Sequence, residues 1–169
     1  TYKKAIANAM SEAMETSKST IIIGQGVTDF KGIFDTMIGF SEKYPERVIE
    51  TPLAEDSIAG ICIGAALNGG YPINTHIRAD FGLLIFNQLI NLAAKYKYMF
   101  GGLFEVPCMF RMVIGRSWGQ GAQHSQSLQS LMAHIPGLTV IMPADPQSIE
   151  ESYRYAVQKH KGPVVVLEH

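Results

Sequence analysis

The stretch Arg47-Val48-Ile49-Glu50-Thr51-Pro52-Leu53-Ala54-Glu55-Asp56-Ser57-Ile58-Ala59-Gly60 decides the fold. Its first four residues form a short candidate strand, and Pro52 restricts the turn that follows. Residues 55–67 continue as a candidate helix with closely spaced small residues, and residues 72–76 offer the next strand. A strand, a helix and another strand in this order predict two parallel strands joined through a helix.

The same alternation extends over the whole chain. Apolar segments typical of strands lie at 20–24, 47–50, 72–76, 107–113, 138–142 and 164–167. Helical patterns lie at 2–15, 35–43, 55–67, 82–97, 125–134 and 146–160, and the pattern at 82–97 predicts one long, largely buried helix. We therefore expect a three-layer α/β sandwich with a mainly parallel sheet and helices on both faces. Ligands of such sheets bind at the carboxyl ends of the strands.

Composition narrows the classes of function. The 169 residues fit a single domain, and the net charge of −1 gives no case for a nucleic-acid partner. No apolar run approaches the roughly 20 residues of a membrane span, and the opening residues lack the apolar stretch of a secretory signal. Both Cys62 and Cys108 are interpreted as buried structural thiols, since a disulfide is not expected in a reducing compartment. These features lead us to expect a cytoplasmic protein that binds neither membranes nor nucleic acid.

Several common site patterns are missing from the sequence. It contains no CxxC or HExxH spacing for a metal, and no GxGxxG, Walker or GxSxG motif. We therefore predict no metal site, dinucleotide site, phosphate-binding loop or serine nucleophile within this chain.

Two segments carry candidate chemistry, and each has a purely structural interpretation as well. Glu55 stands in a predicted first helical turn, where a carboxylate can simply complement the helix dipole. His124 stands where a Gly-rich loop, residues 115–123, meets a predicted helix with Ser125 available as its N-cap. Histidine transfers protons near neutral pH, but His124 taken alone is about as often a hydrogen-bonded structural residue.

Six runs occurring in order make the sequence specific. They are Arg47–Glu55, Gly64–Pro72, Ala93–Gly102, Val106–Arg111, Gly121–Gln126 and Ile135–Val140. Together they resemble the N-terminal domain of the beta subunits of pyruvate, branched-chain 2-oxo acid and acetoin dehydrogenases. Transketolase and deoxyxylulose-phosphate synthase share this domain more distantly. The resemblance covers nearly all 169 residues.

The resemblance implies thiamin diphosphate bound between two different domains. This domain would hold the aminopyrimidine ring, and an alpha-type partner subunit would hold the diphosphate through Mg²⁺. The family's Gly-Asp-Gly signature for the metal and diphosphate does not occur in this sequence. We therefore expect half a site, completed in a homodimer or heterotetramer. We also expect residues 1–169 to be one pyrimidine-binding domain, with the family's C-terminal domain absent.

The resemblance also implies roles for individual residues. Glu55 matches the glutamate that hydrogen-bonds the pyrimidine ring nitrogen, and Phe81 matches the aromatic residue at the ring. His124 matches the histidine facing the substrate, and Gln25 replaces an acidic residue that helps to organise the cofactor site. Arg111 matches a family arginine, for which we favour a structural ion pair.

Departures from the family leave the substrate open. His76 and Arg78 stand where the family commonly has other residues, and both are candidate substrate-binding residues. An arginine near the cleft can bind a phosphate or carboxylate, or it can form a surface or interface salt bridge. Decarboxylation of a 2-oxo acid is the leading expectation, and two-carbon transfer on a sugar phosphate is the alternative. A non-catalytic assembly module is the third interpretation, supported by Gln25 and Thr75.

Overall fold

The computed structural model describes residues 1–115 and 119–169, and within these ranges six parallel strands form a single sheet. The strands are β1 (Thr20–Gly24), β2 (Val48–Glu50), β3 (Tyr71–His76), β4 (Cys108–Val113), β5 (Thr139–Ile141) and β6 (Pro163–Glu168). Their order across the sheet is β2-β1-β3-β4-β6-β5, and every pairing in it is parallel. The predicted α/β class with a mainly parallel sheet is confirmed.

Helices connect the strands. They are α1 (Tyr2–Thr16), α2 (Gly32–Asp35), α3 (Phe40–Lys43), α4 (Glu55–Leu67), α5 (Tyr96–Met99), α6 (Gln129–Ala133) and α7 (Pro146–Gln158). The single turn α2 is left-handed, with positive φ at Ile33, Phe34 and Asp35. Helix α7 begins with a capping box, in which Asp145 Oδ1 accepts from the backbone amide of Ser148.

Alternation along the strands divides the core into two layers. Val164 and Val166 of β6 pack on one face with residues of α1, α3 and α7. Val165 and Leu167 pack on the other face with residues of α4 and α6 and of the segment between β3 and α5. Because successive side chains of a strand point to opposite faces, this division places one helical layer on each side of the sheet.

The prediction of one long, buried helix over residues 82–97 is wrong. The segment is a 3₁₀-helix, Ala79–Ile85, followed by a π-helix, Asn87–Ala93, and then α5. Gly82 lies so close to β4 that a Cβ there would stand 2.7 Å from Met112 Sδ. This approach holds the first turn against the sheet. The following turns have the wider π-helical pairing, in which an amide donates to the carbonyl five residues earlier, as Ala94 N does to Leu89 O at 2.9 Å. Leu84 is also 56% exposed, so burial is less complete than predicted.

The predicted helices at 35–43 and 125–134 are also shorter in the structure. The first is confined to the separate turns α2 and α3, and the second to α6. Ser125 is not the N-cap of α6, because the helix begins at Gln129 after Leu128. The reason is tertiary: residues before α6 are held by Asp80, as described below.

A buried ion pair links β4 to β6. Arg111 Nε donates to Glu168 Oε2 at 2.7 Å, and Arg111 Nη2 donates to Thr36 Oγ1 at 2.6 Å. The hydroxyl of Tyr153, on α7, donates to the other carboxylate oxygen of Glu168. The structural ion pair predicted for Arg111 is therefore confirmed.

The two cysteines are free and buried, as predicted. Burial raises the pKa of the Cys62 thiol to about 12, so this thiol stays protonated at neutral pH. A search of the described part of the chain finds no helix with the length and apolar character needed to cross a membrane.

Candidate active site

The carboxyl ends of three strands meet at one edge of the sheet. Gly24, at the end of β1, is in register with Glu50 of β2 and with Thr75 of β3. A Cβ at Gly24 would stand 2.5 Å from the carbonyl oxygen of Thr75. Only glycine therefore allows β1 and β3 to approach this closely where the loops leave the sheet.

A small cleft opens at this edge. Its lining consists of Gly24, Gln25, Thr51, Glu55, Ile58, Asn74, Thr75, His76, Ile77 and Phe81. Four of the six residues predicted for the site are in this lining, although they come from segments up to 56 positions apart, between Gln25 and Phe81. The parallel sheet brings them together because it aligns the carboxyl ends of neighbouring strands.

Glu55 is the first residue of α4 and is half-buried at the cleft. One turn later the same helix contributes the buried Ile58 to the lining. The carboxylate thus stands at the positive end of the helix dipole with an apolar neighbour, and it can accept a hydrogen bond from a ligand in the cleft.

Phe81 and His124 form an aromatic pair. Their ring centroids are 5.4 Å apart and the rings are nearly perpendicular, at 88°. Phe81 belongs to the 3₁₀-helix after β3, and His124 ends a short 3₁₀ turn, Ala122–His124. His124 does not itself line the small cleft, but the edge-to-face contact places it directly beside a residue that does.

Asp80 fixes the segment that carries His124. Its Oδ1 atom accepts from the backbone amide of Gln126 at 3.2 Å and from Gln126 Nε2 at 2.8 Å. Asp80 is largely buried, so these bonds are shielded from competing water. Asp80 precedes Phe81 and Gln126 closely follows His124, so this contact joins the two segments that carry the aromatic pair.

Glu50 fixes the loop that carries Gln25. Its Oε1 atom accepts from the backbone amide of Gly26 at 2.6 Å, and its Oε2 atom accepts from the amide of Thr28 at 2.9 Å. The Thr28 hydroxyl adds a third bond, at 3.0 Å. The loop after β1 is therefore held by the end of β2, and Gln25 is positioned at the cleft.

His76 is neutral in the folded protein. Burial lowers the pKa of its imidazole to about 4. Its Nε2 atom lies 2.8 Å from Asn74 Oδ1, and Asn74 Nδ2 donates to the carbonyl oxygen of Ile23 at 3.1 Å. Because the Asn74 oxygen must then be an acceptor, His76 Nε2 carries the proton and Nδ1 is left as an acceptor.

Arg78 lies outside the lining of the cleft. Its Nε and Nη2 atoms donate to Gln120 Oε1 at 3.0 Å and 2.6 Å, and its guanidinium carbon lies 4.9 Å from the ring centre of Phe34. The arginine thus bridges the segment after β3 to the Gly-rich loop and to α2. Residues 116–118 of that predicted loop lie outside the described residues.

Sequence reasoning missed Asp80 and Glu50 as site residues. Both are acidic residues at or just after the carboxyl end of a strand, and this position could have singled them out. Their partners could not be identified in this way, since Gln126 and Gly26 lie in other loops. In the part of the chain that the structure describes, no group of three or more His, Cys, Asp or Glu side chains could hold a metal ion.

Comparison with known proteins agrees with this geometry. The pyrimidine-binding domain of transketolase matches the chain over residues 1–169. The beta subunit of the mitochondrial pyruvate dehydrogenase E1 component of Bos taurus is 37% identical over 170 residues, and the match covers all of this chain and 47% of the relative. The beta subunit of the acetoin:2,6-dichlorophenolindophenol oxidoreductase of Cupriavidus necator is 34% identical, with 99% of this chain and 52% of the relative covered. The chain spans about half the length of these curated relatives.

Solved structures confirm the fold. A split gene transketolase, an inactive beta4 tetramer, superimposes with a TM-score of 0.78 at 20% identity, covering 98% of this chain and 50% of that chain. Transketolase from Leishmania mexicana gives the same TM-score at 17% identity, covering 98% of this chain and 24% of that one. With the family match over its full length, the chain belongs to the transketolase pyrimidine-binding domain family, as the resemblance to the 2-oxo acid dehydrogenase beta subunits predicted.

Proposed function

We propose that this chain is the aminopyrimidine-binding half of a thiamin-diphosphate-dependent 2-oxo acid dehydrogenase, active in decarboxylation only together with a partner subunit. The observation that carries the proposal is the meeting of Glu55, Gln25 and Phe81 in one cleft at the carboxyl ends of β1 and β3. The name of one relative, the beta subunit of a pyruvate dehydrogenase, supports oxo acid chemistry. The name of the other, an acetoin oxidoreductase, supports cleavage next to a carbonyl more generally.

The residues present fit the aminopyrimidine part of the cofactor. A planar, partly polar ring needs an aromatic neighbour, an apolar contact and hydrogen-bonding groups at its edge. The small cleft provides all three kinds of contact: an aromatic neighbour in Phe81, an apolar contact in Ile58, and hydrogen-bonding groups in the Glu55 carboxylate and the Gln25 amide. When bound, thiamin diphosphate supplies the electron sink that cleavage next to a carbonyl requires.

Each side chain then has a defined task. Glu55 holds a proton at the ring nitrogen of the pyrimidine, and Phe81 fixes the plane of the ring. Gln25 adds an amide contact from the loop that Glu50 holds. His124 faces the substrate next to Phe81, where its imidazole can donate or accept a hydrogen bond. His76 offers its acceptor atom Nδ1 to a hydrogen-bond donor of the bound ligand.

The diphosphate and Mg²⁺ belong to the partner in this proposal. An alpha-type subunit would bring the diphosphate-binding domain against the edge of the sheet that carries Glu55. The resulting assembly is a heterotetramer with a homodimer of this chain as its core. A partner is needed because the sequence lacks the Gly-Asp-Gly signature for the metal and diphosphate that the resembled family carries.

The test uses the complex reconstituted from this chain and an alpha-type subunit. Glu55→Gln removes the carboxylate but keeps the size of the side chain, and Asp56→Asn is the matched control in the same helical turn. We expect Glu55→Gln to lower turnover of a 2-oxo acid roughly 100-fold or more while assembly is retained. Asp56 is exposed and outside the cleft lining, so Asp56→Asn should leave turnover unchanged.

Size-exclusion chromatography measures assembly, and calorimetry with Mg²⁺ measures binding of the cofactor. Turnover within twofold of the wild type for an assembled Glu55→Gln complex would contradict the proposal and favour an assembly module without catalysis. Tight binding of thiamin diphosphate by this chain alone would contradict the half-site.

Transketolase-like transfer on a sugar phosphate is a second candidate function, and Arg78 is the residue that favours it. Its guanidinium already donates twice to Gln120, so a substrate phosphate would have to displace that amide. Measuring the effect of Arg78→Gln on turnover of each substrate distinguishes the two candidate functions. If Arg78→Gln lowers turnover of a ketose phosphate far more than turnover of pyruvate, two-carbon transfer is the better assignment.

A further inference from the structure

A second, larger cleft lies at the opposite edge of the sheet, where β4 and β6 begin. It encloses about 850 Å³. Its walls come from the end of the π-helix, from α5 and from the turns before β4, β5 and β6. It shares no lining residue with the candidate active site.

Glycine and small apolar residues keep this cleft open. A Cβ added at Gly101 or Gly102 would meet nothing within 4 Å, so the absence of side chains there leaves space that the protein does not fill. Val106 and Ala93 are buried beneath, and the ring of Tyr98 stands at the rim with 89% of its surface exposed. An apolar concave surface with an aromatic ring at its edge favours a ligand with a flat or aliphatic body.

The charges at the rim are predominantly positive. Lys97 and Lys161 share a single carboxylate, with Lys97 Nζ 3.0 Å and Lys161 Nζ 3.9 Å from Glu105. Lys95 Nζ donates to the carbonyl oxygen of Pro136 at 2.7 Å, which holds the ammonium group at the cleft without neutralising it. Three lysines beside one glutamate leave a positive field over an apolar floor, and this combination attracts an anion.

We propose that this cleft binds a small organic anion, a carboxylate, phosphate or sulfonate group carried on an apolar body. The body lies on the floor formed by Val106, Ala93 and the glycines. The anionic group reaches the rim, where Lys97 and Lys161 outnumber the single Glu105 carboxylate that they share. The ligand is independent of the cofactor, since the two clefts open at opposite edges of the sheet. The assignment goes beyond the proposed function.

Nuclear magnetic resonance titration of the chain tests this directly with four probes. Naphthalene-1-sulfonate, 2-naphthoate and phenyl phosphate carry the anion, and 2-naphthol is the neutral ring control. We expect saturable shifts of the Tyr98, Gly101 and Gly102 amides with a Kd on the order of 1 mM for the naphthalene anions, given their size. The neutral ring should bind about tenfold more weakly, because it gains nothing from the lysines.

The double variant Lys97→Gln/Lys161→Gln should lose this tenfold preference for the anion. The matched control Lys4→Gln/Lys18→Gln changes two exposed lysines away from the cleft and should keep the preference. If no anion shifts these amides up to about 10 mM, or if 2-naphthol binds as well as 2-naphthoate to the wild type, the proposal is overturned. Neither result bears on the cofactor, because the titration contains no thiamin diphosphate and no partner.

Discussion

One carboxylate oxygen of Asp80, Oδ1, accepts both hydrogen bonds from Gln126, and these bonds fix the segment next to His124. Catalysis by a proton-transferring residue depends on its position to within fractions of an ångström. Asp80 does not line the cleft, so its contribution to the reaction is to hold other residues in place. It is a positioning residue in the proposed site.

Asp80→Ala should lower kcat on the order of 10- to 100-fold in the reconstituted complex, because the His124 segment loses its anchor. Asp80→Asn keeps an oxygen acceptor and should restore most of the rate. Steady-state kinetics measures both variants, and calorimetry of the cofactor checks that binding is retained. Equal rates for Asp80→Ala and the wild type would show that the segment is held by other contacts.

The Arg111–Glu168 pair makes a prediction about stability. Arg111→Met leaves the Glu168 carboxyl group in the core without its ion-pair partner, and this should lower the free energy of unfolding by about 3–5 kcal/mol. The double variant Arg111→Met/Glu168→Leu removes both charges and should recover part of that loss, despite the hydroxyl of Tyr153 losing its acceptor. Urea unfolding followed by circular dichroism measures the difference. A double variant less stable than Arg111→Met would show that the carboxylate matters mainly to Tyr153.

Residues of the site differed in how well the sequence predicted them. Glu55 was identified because it ends the run Arg47–Glu55, and Phe81 because it matches the family's aromatic position at the ring. The structure brings both to the cleft. The roles of Glu50 and Asp80 depend on partners 24 and 46 residues away, in loops whose paths no local pattern fixes. The burial of His76 likewise depends on tertiary structure, because it lies in β3 between β1 and β4.

Among the elements, strands were predicted more accurately than the connections. The run that became β1 carries consecutive apolar residues before Gly24, and the run that became β4 follows Pro107 and is apolar except for Arg111. A central parallel strand needs such a largely apolar pattern. Residues 82–97 carry an apolar pattern that suits one helix equally well. The 3₁₀ part of this segment contains Gly82, whose close approach to Met112 of β4 is a tertiary contact that the local sequence does not reveal.

Gly137 lies in the turn between α6 and β5, and we make a prediction about the stability of this connection. Its φ of +92° is left-handed, and a Cβ there would stand 2.1 Å from the carbonyl oxygen of Ala94. Gly39 is also left-handed, at +77°, but a Cβ there meets nothing within 4 Å. Gly39→Ala should therefore lower the free energy of unfolding by roughly 1 kcal/mol, and Gly137→Ala by roughly 3 kcal/mol or more.

Chemical denaturation of the two variants side by side separates backbone strain from the clash. Equal losses would mean that the turn before β5 can move away from the end of the π-helix. A larger loss at Gly137 would show that this turn and the end of the π-helix are locked together.

For the whole molecule, the neutral state of His76 couples stability to pH. The folded pKa is about 4, whereas an unfolded histidine titrates near 6.5. Between these values the unfolded chain binds a proton at this site and the folded chain does not. The free energy of unfolding therefore falls as the pH drops through this window, and the contribution is constant above about pH 6.5.

The loss from His76 should reach at most about 3 kcal/mol at pH 4, since one pKa unit corresponds to about 1.4 kcal/mol. His76→Gln keeps a donor for Asn74 but cannot titrate, so its unfolding free energy should depend less steeply on pH between 6.5 and 4. Urea unfolding at half-unit pH intervals measures both slopes, and carboxylates common to both proteins cancel in the comparison. Parallel pH profiles would mean that His76 takes up its proton in the folded state, and its assignment as a neutral acceptor for a bound ligand would fail with it.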